Sequence, residues 1–381
     1  MSETPSPFLK LAQIPGRGRS LIASRHIQPG QILLQDSPIL LYPSTLSFSS
    51  PTFCSHCFRT LSSQTPSLSC PSCPNLTLFC SQSCKSSALT SSHSPSFCRT
   101  LTLIRSSSSL NPDLQTQLLF LIAAYNLASV SPSDFHRLLS LEGDPSPDPA
   151  ESYILHSFLS SLSLPLQTAV GFSPELTAAL LAKDKRNAFG LMEPFNGSDE
   201  RSVRAYGIYP TASFFNHDCL PNACRFDYVD RVGDGNTDIV VRAIHDVEEG
   251  REICLSYFPV NWSYKDRQRR LMEDYGFVCD CDRCRVERNW KDEEEDEECM
   301  EEDGDARMDG AEEENGDEDF PHAYFFVRYL CERENCGGTL APLPPSEGLV
   351  SNVMECNVCG QLRTEEDAGG DNGEDGVMLD E

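Results

Sequence analysis

The chain has 381 residues, 39 % of them hydrophobic, enough for one large domain or two to three smaller ones with a filled core. It carries 30 Lys and Arg against 58 Asp and Glu, a formal net charge of −28. Phosphate binding relies on Lys and Arg, so this balance argues against a nucleic-acid surface over most of the molecule and suits a basic protein partner.

No run approaches the roughly 18 consecutive apolar residues of a membrane span. The first residues, MSETPSPFLKLAQIPGRG, have neither the cationic segment nor the long apolar run of a secretory signal. The protein is therefore expected inside the cell, where thiols stay reduced. It nevertheless has 18 cysteines. In a reducing compartment, closely spaced cysteine pairs point to zinc rather than to disulfides.

Residues 7–43 read as paired strands: FLKLAQI, SLIAS and QILLQDSPILLY, separated by the turns PGRG and PG. Residues 44–110 are rich in Ser, lack long apolar periodicity and hold seven cysteines. A small segment of this kind needs metal to fold, because it cannot bury enough apolar surface. Helices are predicted next. DLQTQLLFLIAAYNLA has a broad apolar face, and SPSDFHRLLSL opens on a Ser cap signal. After the polar, Pro-rich GDPSPDPAES, the segments ILHSFLSSL and SPELTAALLAKDKRN resume the helical pattern. From Asn187 to Tyr257 the text turns β-like, through NAFGL, AYGIYP, NACRFDYV, TDIVVRAI and EICLSYF. RQRRLMEDYGF reads as one short helix leading into CDCDRC. Residues 292–319 hold 18 acidic residues against one Arg, so −17 of the charge is local and the rest of the chain carries −11. That stretch is expected to be disordered. Another Cys cluster and a second acidic tail follow, and there is no internal repeat of fixed period.

The cysteines fall into clusters. Cys54-x2-Cys57, Cys70-x2-Cys73, Cys80-x3-Cys84 and His93-x4-Cys98 offer eight ligands in four pairs, enough for two tetrahedral zinc ions. Spacing alone leaves open which pairs share an ion. Cys279-x-Cys281-x2-Cys284 offers three ligands and needs a fourth from elsewhere. Cys331-x4-Cys336 and Cys356-x2-Cys359, each followed by glycine, suit the tight knuckles of a zinc ribbon. Cys219, Cys224, Cys254 and Cys299 are left over. The competing reading is a scatter of buried or redox cysteines, which four pairs in 45 residues disfavour.

Four further pieces are weak one at a time: GRG at 16–18, NAF at 187–189, NHDCLPN at 216–222 and EICLSYF at 252–258. Alone they read as a hairpin turn, a bare tripeptide, a polar loop and a core tyrosine. Their order, with the Cys-rich finger between GRG and NAF and CxCx2C at the end, resembles the SET-domain lysine methyltransferases. More narrowly it is similar to the SMYD family, in which a MYND finger is inserted into a split SET domain. The stretch RSVRAYGIYPTASFFNHDCLPNACRFDYVD and the acidic insertion before a C-terminal Cys cluster look most like the plant ASH-related branch. The resemblance covers residues 8–362.

The resemblance implies an α+β fold: a mostly-β SET fold with a pseudoknot, split by the finger and a helical insertion. It divides the chain into an N-terminal SET part (1–50), the MYND finger (51–100), a helical insertion (101–185), core SET (186–258) and post-SET (259–290). An acidic linker (291–320), a zinc-ribbon-like segment (321–365) and an acidic tail (366–381) complete it. The implied activity is methyl transfer from S-adenosylmethionine to a neutral lysine amine, with histone as the usual substrate. Gly16, Arg17 and Gly18 would lie along the cofactor, where glycine permits close backbone approach. Asn187 and Ser213 would help position it. Asn216 and His217 would bind its adenine and amino-acid portions, partly through backbone groups. Tyr257 would be the catalytic tyrosine beside the cofactor. Phe189, Tyr275 and Phe277 would line the lysine channel, with Phe277 also touching the cofactor. Lysine has an ordinary pKa near 10.4, and an aromatic channel beside a sulfonium favours its neutral form. No general base is visible, so deprotonation would pass through water.

For the metals, the resemblance implies Cys54, Cys57, Cys80 and Cys84 on one zinc and Cys70, Cys73, His93 and Cys98 on a second. Cys219 would complete Cys279, Cys281 and Cys284 on a third. Cys331, Cys336, Cys356 and Cys359 would hold a fourth. Pro-rich peptides are the partners the finger would dock. No membrane and no sequence-specific DNA contact are expected, and the implied location is chromatin in the nucleus, with the cytoplasm also open. The acidic run reads first as a linker and second as a lure for Lys-rich tails. The other histidines, His26, His56, His136, His156, His245 and His322, have no pairing that implies chemistry. The short C-terminal part implies a more open cleft than in relatives with a long helical domain. The alternative is an adaptor in which the finger binds partners and the SET fold is weak or silent. A zinc-finger ubiquitin ligase would explain the finger but leave residues 187–284 without a purpose.

Overall fold

The computed structural model describes residues 6–45, 52–62, 67–74, 76–105, 111–145, 150–162, 171–197, 201–231, 233, 235–290 and 322–364. The acidic stretch and the acidic tail lie outside these residues.

Strands β1 (Leu9–Ile14) and β2 (Gly18–Ala23) form an antiparallel hairpin through the Gly-Arg-Gly turn. Gly16 and Gly18 both have φ +77°, a left-handed backbone that side chains resist. β3 (Ile32–Asp36) and β4 (Leu40–Pro43) follow. The described residues of the finger form the two-residue strands β5 (Leu68–Ser69) and β6 (Leu78–Phe79) and the helix α1 (Gln82–Thr90), whose N-cap Ser81 accepts from the Cys84 amide. Its core is largely sulfur: Cys54, Cys70, Cys73 and Cys98 are buried with Phe79 and Ala88.

A helical layer comes next: α2 (Pro95–Arg105), α3 (Pro112–Val130), α4 (Pro132–Ser140), α5 (Ala150–Ser161) and α6 (Pro174–Asn187). Asn111 and Ser173 cap α3 and α6, and a proline sits in the first turn of α3, α4 and α6. The sequence gives α3 a broad apolar face. The structure instead buries it all round from Leu118 to Ala128, because α2, α4, α6 and β4 pack on it.

The chain then forms β7 (Ala188–Met192), β8 (Val203–Ile208), a 3₁₀ turn at Ala212–Phe214, β9 (Asn216–His217), β10 (Ala223–Asp227), β11 (Ile239–Ala243) and β12 (Cys254–Leu255). Pairing does not follow chain order. The antiparallel sheets are β4–β8–β7 and β10–β11–β3, while β9 and β12 pair in parallel. So β1 and β2 pair locally as expected, but β3 and β4 find partners far along the chain, with Leu34 opposite Val241 and Tyr42 opposite Tyr206. The finger and the helices are thereby inserted between strands of one fold. EICLSYF is not a strand up to its tyrosine: β12 stops at Leu255, and Tyr257 sits in the bend beyond it.

Helix α7 (Tyr264–Arg270) runs into a π turn over Leu271–Tyr275, ended by Gly276 at φ +73°. After α8 (Asp282–Glu287) and α9 (Ala323–Tyr329), strands β13 (Leu340–Pro342), β14 (Val353–Cys356) and β15 (Leu362–Thr364) form an antiparallel meander. Leu340, Ala341, Met354 and Cys356 of this ribbon share a core with Cys224, Phe226 and Ile244. Glu355 anchors it, accepting from Arg242 Nη2 at 2.9 Å, Arg231 Nη2 at 3.1 Å and the Tyr228 hydroxyl at 3.0 Å. No described helix is long and apolar enough to cross a membrane.

Candidate active site

The parallel pair is the centre of the site. Cys254 lies opposite Asn216 and Leu255 opposite His217. The rest of NHDCLPN is pinned to the same strand: the Asp218 amide donates to the Leu255 carbonyl at 3.0 Å, and Asn222 Oδ1 accepts from the Cys254 amide at 2.9 Å. The Gly-Arg-Gly turn closes on this unit. Arg17 Nη2 donates to the His217 carbonyl at 2.8 Å, and Arg17 Nε lies 2.8 Å from Glu252 Oε2. Asn216 Nδ2 donates to the Arg17 carbonyl at 3.2 Å and to Glu252 Oε1 at 2.8 Å. Gly16 to Gly18, Asn216 and His217, distant in sequence, are thus joined.

His217 is buried, and its ring serves as a brace. Nδ1 accepts from the Tyr257 amide at 3.2 Å, and Nε2 lies 3.2 Å from Cys219 Sγ. Burial pushes its pKa down to about 3, so the ring is neutral. With Nδ1 accepting, the proton sits on Nε2 and faces the sulfur. The Tyr257 hydroxyl donates to the Phe215 carbonyl at 3.0 Å, and burial raises its pKa, keeping it protonated. The Tyr275 ring stands 4.7 Å from that of Tyr257, and Phe277 continues the row at 6.4 Å.

The remaining expected residues are held by other bonds. Asn187 Nδ2 donates to the carbonyls of Glu142 at 2.7 Å and Lys183 at 2.8 Å, which leaves its oxygen as the group it can offer. Ser213 Oγ donates to the Tyr209 carbonyl at 2.8 Å. Phe189 packs edge-on against Tyr209 at 5.6 Å, with the Arg225 guanidinium 5.5 Å from its ring. Sequence reasoning missed the roles of Glu252 and Arg267. The first stands five residues before Tyr257 in the EICLSYF motif, whose spacing carries no sign of its ion pair with Arg17. The second is buried in α7 and donates to Cys219 Sγ at 3.3 Å while pairing with Glu287 at 2.6 Å.

Four sets of ligand atoms converge, each within 4.8 Å of one another: Cys54, Cys57, Cys80, Cys84; Cys70, Cys73, His93, Cys98; Cys219, Cys279, Cys281, Cys284; and Cys331, Cys336, Cys356, Cys359. The pairing that spacing left open in the finger is therefore first with third and second with fourth. Sulfur separations of 3.7 Å (Cys57 to Cys80), 3.8 Å (Cys70 to Cys98), 3.5 Å (Cys219 to Cys284) and 3.6 Å (Cys336 to Cys356) are far from a disulfide's ~2.05 Å. They match the edge of about 3.8 Å that a tetrahedron with ~2.3 Å Zn–S bonds requires. Burial holds the His93 pKa near 4, which gives the neutral imidazole a metal needs. Hydrogen bonds with Cys219 and Cys279 favour the thiolate form of Cys281. The residues present fit zinc at all four places. Of the remaining histidines, His26 meets Asp246 at 3.2 Å on the exposed surface.

A family model described as the SET domain matches residues 18–258, more than half of the chain. The chain belongs to the SET-domain family. It is 55% identical over 396 residues to the Arabidopsis thaliana protein named Histone-lysine N-methyltransferase ASHR2, covering 95% of this chain and 97% of that protein. It is 25% identical over 368 residues to Histone-lysine N-methyltransferase ASHR1 of the same plant, covering 94% of this chain and 65% of that one. The resemblance to the ASH-related plant branch therefore holds over nearly the whole chain. Among solved structures, the SET domain of LSMT bound to lysine and AdoHcy matches 73% of this chain and 54% of its own, at 14% identity and a TM-score of 0.38.

Proposed function

We propose that this chain transfers methyl groups from S-adenosylmethionine to lysine side chains of a basic protein such as a histone. The observation that carries the reading is the β9–β12 pseudoknot, which joins the Gly-Arg-Gly turn, Asn216, His217 and Tyr257 in one hydrogen-bonded unit. The cofactor, when bound, supplies a methyl already activated on a sulfonium. The chain's task is then mainly positioning. The Tyr257 hydroxyl, protonated and fixed on the Phe215 carbonyl, orients the amine. Tyr275 and Phe277 extend an aromatic wall from Tyr257. An apolar wall of this kind desolvates the amine and favours its neutral form. Glu252 is committed to Arg17, Ser20 and Asn216, so it is not free to act as base, and the proton leaves through water.

In this reading Gly16, Arg17 and Gly18 flank the cofactor, and Asn187 and Ser213 hold the surrounding backbone. Phe189 lines the far side of the channel. The two finger sites, the Cys219-centred site and the ribbon each hold a structural zinc. The 51–100 segment is a MYND finger that docks Pro-rich peptides, and the protein works on chromatin in the nucleus. The test is radiolabelled methyl transfer from S-adenosylmethionine, using zinc-loaded protein, histones and cell extract, beside Tyr257→Phe. Labelling lost in the variant, with cofactor binding kept, supports the reading and identifies the substrate band. No labelling together with no cofactor binding overturns it and leaves the finger as an adaptor.

A further inference from the structure

Glu252 lies at the junction of three threads. Its main chain bridges to Ile22 of β2, and its backbone carbonyl accepts from Asn222 Nδ2 at 2.8 Å. Its carboxylate, 16% exposed, accepts from Ser20 Oγ at 2.6 Å, Asn216 Nδ2 at 2.8 Å and Arg17 Nε at 2.8 Å. Arg17 in turn reaches the His217 carbonyl and takes the Asn216 amide on its own carbonyl. One ion pair therefore touches the hairpin turn, β9 and the approach to β12.

Two consequences follow from chemistry alone. The Asn216 amide faces a carboxylate and a carbonyl, both acceptors. Its nitrogen must point at them, and its oxygen is turned to the other side. The Arg17 charge, which would otherwise repel a sulfonium across the turn, is neutralised at 2.8 Å. We propose that Arg17 and Glu252 are positioning residues for the cofactor: their ion pair locks the Gly-Arg-Gly turn onto both strands of the pseudoknot, and Glu252 sets the orientation of the Asn216 amide. The inference rests on the methyltransferase reading, because the ligand concerned is S-adenosylmethionine.

The experiment uses the full, zinc-loaded chain. Binding of S-adenosylmethionine and of S-adenosylhomocysteine is measured by titration calorimetry for wild type, Glu252→Gln, Arg17→Met, the double variant and Arg17→Lys. Zinc content and the unfolding midpoint are measured on each. Each of the first two single variants is expected to raise Kd about tenfold for both ligands, with zinc and midpoint unchanged. The double variant is expected to be little worse than the poorer single one, because the pair acts as a unit. Arg17→Lys recovers part of the loss, since an ammonium keeps the charge but cannot make both bonds. Unchanged Kd values, additive losses, or losses that appear only with lost zinc and a lowered midpoint overturn the proposal. A loss confined to S-adenosylmethionine overturns it in favour of a charge effect on the sulfonium. Wild type that binds neither nucleoside overturns the methyltransferase reading itself.

Discussion

Replacing Glu355 by Gln tests what holds the C-terminal ribbon to the rest of the fold. Arg242 is 1% exposed, with its guanidinium 3.6 Å from the centre of the Phe226 ring, and it pairs with Glu355. Glu355→Gln preserves shape and leaves this guanidinium buried without a counter-ion. Removing one partner of a buried pair costs about 3–5 kcal/mol. Arg231, the second partner, is more than half exposed, so Arg231→Ala costs under about 1 kcal/mol. Hydrogen exchange reports local opening as well as global unfolding, so exchange on β13 to β15 is the assay. At about 1.4 kcal/mol per tenfold, Glu355→Gln should lower protection there by about a hundredfold or more. Adding Arg242→Met removes the stranded charge and should recover most of that loss. Protection reduced by less than tenfold, or a double variant worse than the single one, would refute the reasoning.

Native mass spectrometry should find four zinc ions per chain and three after Cys219→Ser, and a count of three or fewer in zinc-loaded wild type rules out the four-site assignment. Asp230→Ala should loosen the finger, because Asp230 accepts from the Thr60 amide at 2.9 Å and pairs with the buried Arg204 at 3.2 Å. A cost of about 1–3 kcal/mol should appear as faster exchange at residues 54–61, and unchanged exchange there would remove Asp230 as the anchor. Burial pushes the Asp184 carboxyl up to about 7, although the Tyr42 hydroxyl donates to it at 2.5 Å. Its folded pKa is thus above its unfolded value, so the native state holds the extra proton between about pH 4 and pH 7. Stability from this group therefore falls as pH rises through that window. Asp184→Asn should flatten the slope of the denaturant midpoint between about pH 4 and pH 7, and an identical slope would show that Asp184 does not titrate there.

Much of the ligand pairing was legible in the sequence, because ligands two to five residues apart can share one turn and face one ion. The start of α4 was legible at Ser131, but its hydroxyl donates to the Asp134 carboxylate at 2.7 Å instead of accepting from a backbone amide, while the caps Asn111 and Ser173 emerged only in the structure. The order GRG, NAF, NHDCLPN, EICLSYF, which fixed the family, was legible too. Strand partners were not. A period-two pattern says which face of β3 or β4 is buried but not which strand covers it, and both partners lie more than 150 residues away, Val241 opposite Leu34 and Tyr206 opposite Tyr42. Nor could the text say that α3 is enclosed on every side, that Phe189 packs on Tyr209, or that the His217 ring braces Tyr257 against Cys219. Glu252 shows the reason most directly. Nothing in its neighbours marks it, because its donors come from positions 17, 20 and 216. The sequence by itself determined which closely spaced residues offer metal ligands and which family motifs are present in what order, because both are read along the chain. The tertiary structure decided which of them meet at the site, because a hydrogen bond or ion pair forms only where distant segments are brought within about 3 Å.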